Sequence, residues 1–271
     1  MPEDLIAGHL TPWRVWNRGG ARPVLALHCS LAHAGAWTGL AGLLSGLTVT
    51  AMDQPSHGRS ADWDGREELH GLTTRISLAM AETLAEGGRV DLIGHSFGAT
   101  VALRMALERP DLVRSLTLIE PVIFAAARGG AVYDLFRAGH MGFAELVLAG
   151  RRAEAATWFH GVWGAGERFG DLPEKTRRYM LDRIHLIAAQ NPVLLEDAAA
   201  MLWPGGLEGV RVPVLLIDGA DSPPIIAAVH AALAERLPDV RRLSVPGAGH
   251  MVPITHPERI AAQVQAHLGR S

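Results

Sequence analysis

The feature that most constrains the fold is a five-residue stretch, Gly94-His-Ser-Phe-Gly98, which lies where the sequence pattern changes its period. The apolar run 90–93 before it is typical of a buried strand, and the Ala-rich run 97–108 after it has helical spacing. On a sharp strand-to-helix turn, flanking glycines remove side chains that would collide with the neighbouring strand and helix. The helix N-terminus adds free N–H groups and a partial positive charge. The stretch therefore predicts that Ser96 is presented as a nucleophile.

Short apolar runs alternate with helical patterns along most of the chain. The predicted buried strands are 24–27, 47–52, 90–93, 115–119 and 214–217, and the predicted helices are 36–45, 68–86, 97–108, 226–236 and 257–268. Apolar strands that alternate with helices predict an α/β fold, with a mostly parallel, twisted sheet covered by helices on both faces. The alternating residues Trp13-Arg-Val-Trp16, followed by Asn17-Arg-Gly-Gly20, predict an edge hairpin that leads into the first central strand.

The alternation stops between residues 123 and 208, where helical patterns and aromatic residues accumulate. We expect residues 1–122 and 209–271 to form the core domain and residues 123–208 to form a helical cap (lid) subdomain. Insertions at the carboxyl ends of parallel strands shape ligand pockets in such sheets, and Trp158, Phe159 and Trp163 are candidates to line one. The alternative is that these aromatic residues pack a core of the insertion itself.

Composition excludes several classes of partner. A net charge of −3 gives no reason to expect nucleic acid or an acidic membrane surface as a partner. One cysteine, Cys29, excludes an internal disulfide framework and suits a reducing cytoplasm, and the N-terminus lacks the pattern of a signal peptide. Apolar runs are too short to span a bilayer, and no spacing of His, Asp or Glu resembles a metal-ligand set. We expect a cytoplasmic protein with a small-molecule substrate; the sequence leaves its oligomeric state open.

The chain resembles the α/β-hydrolase superfamily in four stretches that follow one another in order. Besides the turn at Ser96, these are His28-Cys-Ser30 after a predicted strand, Asp53-Gln-Pro-Ser-His-Gly-Arg-Ser60, and Gly247-Ala-Gly-His250 after the last strand. The resemblance implies the α/β-hydrolase fold and chemistry that needs no cofactor. It also implies that His250 is the base that accepts the proton of Ser96.

The same resemblance implies an oxyanion hole made by two backbone N–H groups, those of Phe97 and Ser30. His28 is expected beside the pocket, where it braces the loop that carries Ser30. Cys29 stands where the family usually has glycine, and we expect it to be a small buried packing residue.

The acid that orients the histidine is ambiguous in the sequence. Where the family usually has its aspartate, this chain has Ser222; Asp221 lies one residue early, and Asp218 is still in the predicted strand. Glu120 ends the apolar strand 115–119, the position from which some members of the superfamily take their acid. A carboxylate in such apolar surroundings needs a partner, because burying an unpaired charge is costly. We therefore predict that Glu120 orients His250, with Asp221 and then Asp218 as alternatives.

These residues predict a serine hydrolase that cleaves a small carboxylic ester or lactone through an acyl-enzyme. A serine at position 96 argues against dehalogenase and epoxide hydrolase chemistry, which use an aspartate there in enzymes of similar fold. C–C bond hydrolysis, perhydrolase chemistry or a lyase reaction on the same residues is the alternative. A non-catalytic ligand-binding protein on this fold is a further, more remote one.

Overall fold

The structure, a computed structural model, describes residues 1–270 and is built on one eight-stranded sheet. Its strands are β1 (Glu3–Ile6), β2 (His9–Asn17), β3 (Arg22–Leu27), β4 (Leu47–Met52), β5 (Val90–His95), β6 (Val113–Ile119), β7 (Val214–Gly219) and β8 (Val240–Val245). Their order across the sheet is β1-β2-β4-β3-β5-β6-β7-β8. From β4 onward every neighbouring pair is parallel, which confirms the predicted fold class.

The N-terminal hairpin differs from the prediction. β2 pairs antiparallel with β1 through the turn at residues 7–8 and antiparallel with β4 on its other side. It does not pair with β3, so the segment 17–20 is a connection between strands that are not neighbours. The alternating pattern of Trp13 and Trp16 identified the strand correctly but could not identify its partner.

Eleven α-helices lie within residues 1–270. They are α1 (Thr38–Leu43), α2 (Leu69–Ala85), α3 (Phe97–Glu108), α4 (Ala131–Leu148), α5 (Arg152–Trp163), α6 (Glu174–Arg183), α7 (His185–Ala189), α8 (Asn191–Leu194), α9 (Pro224–Arg236), α10 (Val252–Thr255) and α11 (Pro257–Leu268). None of the helices in this part of the chain is both long and apolar enough to cross a bilayer.

The sheet is buried on both faces, as its continuous apolar strands require. Successive side chains of β3 point to opposite faces, so Leu25 and Leu27 join a core with α2, α3 and α9. Val24 and Ala26 join a second core with α1 and α11. The two cores fix the parallel strands, and their carboxyl ends meet at one edge of the sheet.

The chain between β6 and β7 contributes helices α4 to α8. It has a small core of its own, which includes Phe143, Met180 and Ile187. Other side chains of this segment, among them Trp163 and Leu194, join the core of the sheet. The segment is therefore packed both on itself and against the sheet.

Candidate active site

Ser96 lies between β5 and α3 in a conformation that few residues other than glycine adopt, with φ 56° and ψ −117°. The flanking glycines are required by close backbone approach. A Cβ atom at Gly94 would lie 2.4 Å from the carbonyl oxygen of Gly98, and one at Gly98 would lie 2.2 Å from that of Leu27. The turn thus holds the serine at the carboxyl end of the central strand, where its side chain lines a cavity.

His250 reaches Ser96 from the loop after β8. Its Nε2 atom lies 3.0 Å from Ser96 Oγ, within hydrogen-bond distance. The neighbouring imidazole of His95 holds the backbone of His250, because its Nε2–H donates to the carbonyl oxygen of His250 at 2.8 Å. Burial lowers the pKa of His95 to about 3, so this imidazole is neutral at pH 7 and can hold that tautomer.

Glu120 is the carboxylate that contacts His250. The His250 Nδ1–H donates to Glu120 Oε2 at 2.8 Å, and the side chain of Glu120 is fully buried. The second oxygen, Oε1, accepts from the backbone N–H of Gly219 at 2.6 Å and from Ser222 Oγ at 2.7 Å. These three hydrogen bonds hold the buried carboxylate in one orientation.

The two alternative acids lie elsewhere. Asp221 is exposed, and the hydrogen bond of its backbone N–H goes to Ala248. The carboxylate of Asp218 contacts His230 Nδ1 at 3.2 Å and Ser244 Oγ at 2.9 Å, away from His250. Asp221 lies one residue before the position expected for the acid, and the loop after β7 does not bring it to His250.

The two N–H groups expected to form an oxyanion hole are free to bind a ligand. Phe97 is the first residue of α3, so its N–H has no acceptor within the helix. The N–H of Ser30, in the loop after β3, likewise has no acceptor among residues 1–270. Cys29 is buried beside it, and burial raises the pKa of its thiol to about 12, which fits a packing role rather than a reactive one.

A cavity of about 270 Å³ opens above Ser96. Its walls are the carboxyl ends of the strands on one side and the segment between β6 and β7 on the other. Phe159 and Trp163, two of the predicted pocket residues, line it. The Trp163 ring also packs against the imidazole of His250 with ring centroids 4.6 Å apart.

Two other predicted pocket residues do not line this cavity. Trp158 stacks on Phe143 inside the segment between β6 and β7 (the insertion), with ring centroids 5.4 Å apart. The side of α5 that lines the cavity carries Phe159, His160 and Trp163, whereas Trp158 lies on the side that packs against Phe143. His28 is buried in the loop network, where Nδ1–H donates to the carbonyl of Cys29 and Nε2 accepts from the N–H of Gln54.

Three further residues contact the site and were not predicted to do so. Gln190 and Tyr179 of the insertion bind the loop that carries Ser30, and Ser222 binds Glu120. The sequence did single out Ser222, as the residue at the expected aspartate position. No local pattern marks Gln190 or Tyr179, because each contact spans about half of the chain.

The fold and the site together define an α/β-type hydrolase. The sheet is mostly parallel, a serine lies on the turn after its central strand, and a histidine lies on the loop after its last strand. The model of the alpha/beta hydrolase family matches residues 24–263, and the chain belongs to this family. The protein is accordingly a hydrolase, similar to lipases and esterases.

Several relatives of this chain are hydrolases, and their names refer to different substrates. Lipase LipV of Mycobacterium tuberculosis is 29% identical over 269 residues, which cover 94% of this chain and 96% of that protein. The 2-(acetamidomethylene)succinate hydrolase of Mesorhizobium japonicum is 30% identical over 227 residues, covering 78% and 74%. Among solved structures, that of a thermophilic esterase superposes with a TM-score of 0.74 at 21% identity and covers 99% of this chain and 97% of that one.

Proposed function

We propose that the protein is a serine hydrolase that cleaves a small, neutral carboxylic ester or lactone through an acyl-enzyme on Ser96, without a cofactor. The observation that carries the proposal is the buried chain of hydrogen bonds from Ser96 Oγ through His250 to Glu120, with distances of 3.0 and 2.8 Å. In this order the groups are a nucleophile, a base and the acid that orients the base.

Each proposed step uses an atom with a defined position. Ser96 Oγ attacks the ester carbonyl while its proton moves to His250 Nε2, and Glu120 stabilises the imidazolium that forms. The N–H groups of Phe97 and Ser30 stabilise the negative charge on the carbonyl oxygen. The imidazolium then protonates the departing alcohol oxygen, leaving the acyl group on Ser96. A water molecule then attacks the acyl carbonyl while His250 takes its proton. The bond from the acyl carbon to Ser96 Oγ breaks as His250 returns that proton to Oγ, which releases the acid and regenerates the serine.

The cavity supports the choice of a neutral substrate with an apolar part. Its lining includes many apolar side chains, such as Phe124, Phe159 and Ile187, and no lysine or arginine occurs among the described lining residues. A substrate carboxylate would be desolvated here with no lysine or arginine to pair with it, which is unfavourable. We therefore favour simple esters and lactones over dicarboxylates such as the succinates named for some relatives. In this proposal, residues 123–208 act as the cap over the site.

The test is hydrolysis of p-nitrophenyl acetate, butyrate and hexanoate and of γ-lactones by wild type and Ser96→Ala. Ser96→Ala should lose at least about 10⁴-fold in kcat, because removing the nucleophile of such a triad leaves only binding and oxyanion stabilisation. The matched control is Ser45→Ala, at an exposed serine far from the site in the turn before β4, which should retain full activity. A fluorophosphonate should label wild type and Ser45→Ala but not Ser96→Ala. Undiminished turnover in Ser96→Ala, or labelling at another residue, would refute the proposal.

A further inference from the structure

The loop at residues 29–32, which carries the Ser30 N–H, contains a strained residue. Leu31 has φ 60°, in the left-handed region that side chains other than glycine rarely adopt. Within the loop, the N–H of Ala32 donates to the carbonyl of Cys29 at 3.3 Å, which is a long hydrogen bond. Such a conformation persists only where the surroundings impose it.

Tyr179 of α6 holds the loop on the C-terminal side of Leu31. Its hydroxyl donates to the carbonyl oxygen of Ala32 at 2.9 Å and accepts from the N–H of Gly58 at 2.8 Å. The phenol is itself fixed, because the guanidinium of Arg183 lies 4.0 Å from the centre of its ring. One hydroxyl therefore joins the insertion to the loops after β3 and β4.

Gln190, between α7 and α8, holds the loop on the N-terminal side of Leu31. The hydroxyl of Ser30 donates to Gln190 Oε1 at 3.0 Å. Gln190 is only 2% exposed, and both it and Ser30 line the cavity above Ser96. Its backbone is fixed as well, since its N–H donates to Ile187 and its carbonyl accepts from Val193 and Leu194.

We infer that Tyr179 and Gln190 are positioning residues for the oxyanion hole. They hold the two neighbours of Leu31 from the insertion, and so fix the strained turn that aims the Ser30 N–H at the substrate oxygen. Neither residue touches the reacting atoms. The inference rests on the proposed function, and it assigns to residues 123–208 a part in stabilising the transition state in addition to enclosing the substrate.

The first test is Tyr179→Phe, which removes one hydroxyl and keeps the ring. Because complete loss of an oxyanion donor costs about 10²–10³-fold in kcat, we expect misplacement of this donor to lower kcat about tenfold with KM changed less than about twofold. Gln190→Met should act in the same direction. The matched control is Tyr133→Phe, which removes a buried hydroxyl that donates to the carbonyl of Leu195 at 3.0 Å within the same insertion. It should leave kcat unchanged.

The second test separates positioning from a general loss of structure. Glycine adopts a positive φ without steric cost, whereas alanine keeps that cost and removes the same side-chain contacts with the cavity as glycine does. Tyr179→Phe should therefore lower kcat less in a Leu31→Gly background than in a Leu31→Ala background, and the two losses should differ by a factor of about five or more. Thermal unfolding of every variant identifies those that fail to fold.

An unchanged kcat in Tyr179→Phe, an equal loss in Tyr133→Phe, or equal losses in the Gly and Ala backgrounds would overturn the inference. These outcomes leave labelling of Ser96 intact. Activity that persists in Ser96→Ala would instead overturn the proposed function, so the two failures are distinguishable.

Discussion

Replacing Glu120 with glutamine should remove most of the activity by forcing His250 into the wrong tautomer. The Oε1 atom of Glu120 accepts from the N–H of Gly219 at 2.6 Å and from Ser222 at 2.7 Å. A backbone N–H can only donate, so the amide oxygen of the glutamine must occupy this position and its NH₂ group must face His250. His250 Nδ1 then has to accept, and its proton moves to Nε2. An Nε2–H opposite Ser96 cannot take the serine proton.

The expected loss in kcat is about 10⁴-fold, the size found when the orienting acid of a serine triad is neutralised with its geometry kept. At about 1.36 kcal/mol per factor of ten, this corresponds to about 5 kcal/mol of transition-state stabilisation. The assay is steady-state hydrolysis of the best p-nitrophenyl ester, with circular dichroism and thermal unfolding to show that the variant is folded. Asp221→Asn is the matched control, and it should stay within about twofold of wild type because Asp221 is exposed and makes no contact with His250. Near-normal turnover in folded Glu120→Gln, or a large loss in Asp221→Asn, would refute this reasoning.

Two further predictions concern the network around this acid and the buried histidines. Ser222→Ala should lower kcat/KM about tenfold or more, because a hydrogen bond to a charged group contributes about 1.5–3 kcal/mol. Ser222→Thr keeps the hydroxyl and should retain most of the wild-type kcat/KM. Equal losses in both variants would contradict the prediction. Acidification should destabilise the fold between pH 6.5 and 3, because burial lowers to about 3 the pKa of four histidines, namely His28, His57, His70 and His95. The unfolded chain binds protons in this range that the folded chain does not, so at pH 5.5 each histidine should subtract about 1.4 kcal/mol from the free energy of unfolding, measured by urea denaturation against pH 7.5. An unfolding free energy that is the same at both pH values would show that these imidazoles are not held neutral.

The central strands and helices could be predicted because their sequence patterns depend on residues that are close together in the chain. The strand Leu47–Met52 and the helices Phe97–Glu108 and Pro257–Leu268 have the predicted bounds. Their apolar periodicity reflects burial directly. The edge strands β1 and β8 were not predicted, because solvent-exposed residues interrupt the apolar pattern there, as Arg241 and Arg242 do in β8. The turn at Ser96 is local in the same sense, since strand, glycines and helix are contiguous in the chain.

Which carboxylate lies beside His250 was decided by tertiary structure. Glu120 and His250 are 130 residues apart in sequence, and the pairing of β6 with β7 and of β7 with β8 brings them to 2.8 Å. The sequence could rank Glu120, Asp221 and Asp218 but could not specify which carboxylate each loop turns inward. The packing of the insertion was equally hidden. Tyr179 lies 147 residues from Ala32, and Gln190 lies 160 residues from Ser30. The sequence determined that Ser96 lies on a sharp turn between a strand and a helix, because that depends on neighbouring residues. Only the fold determined what surrounds it, because hydrogen bonds across such separations depend on how whole strands and helices pack.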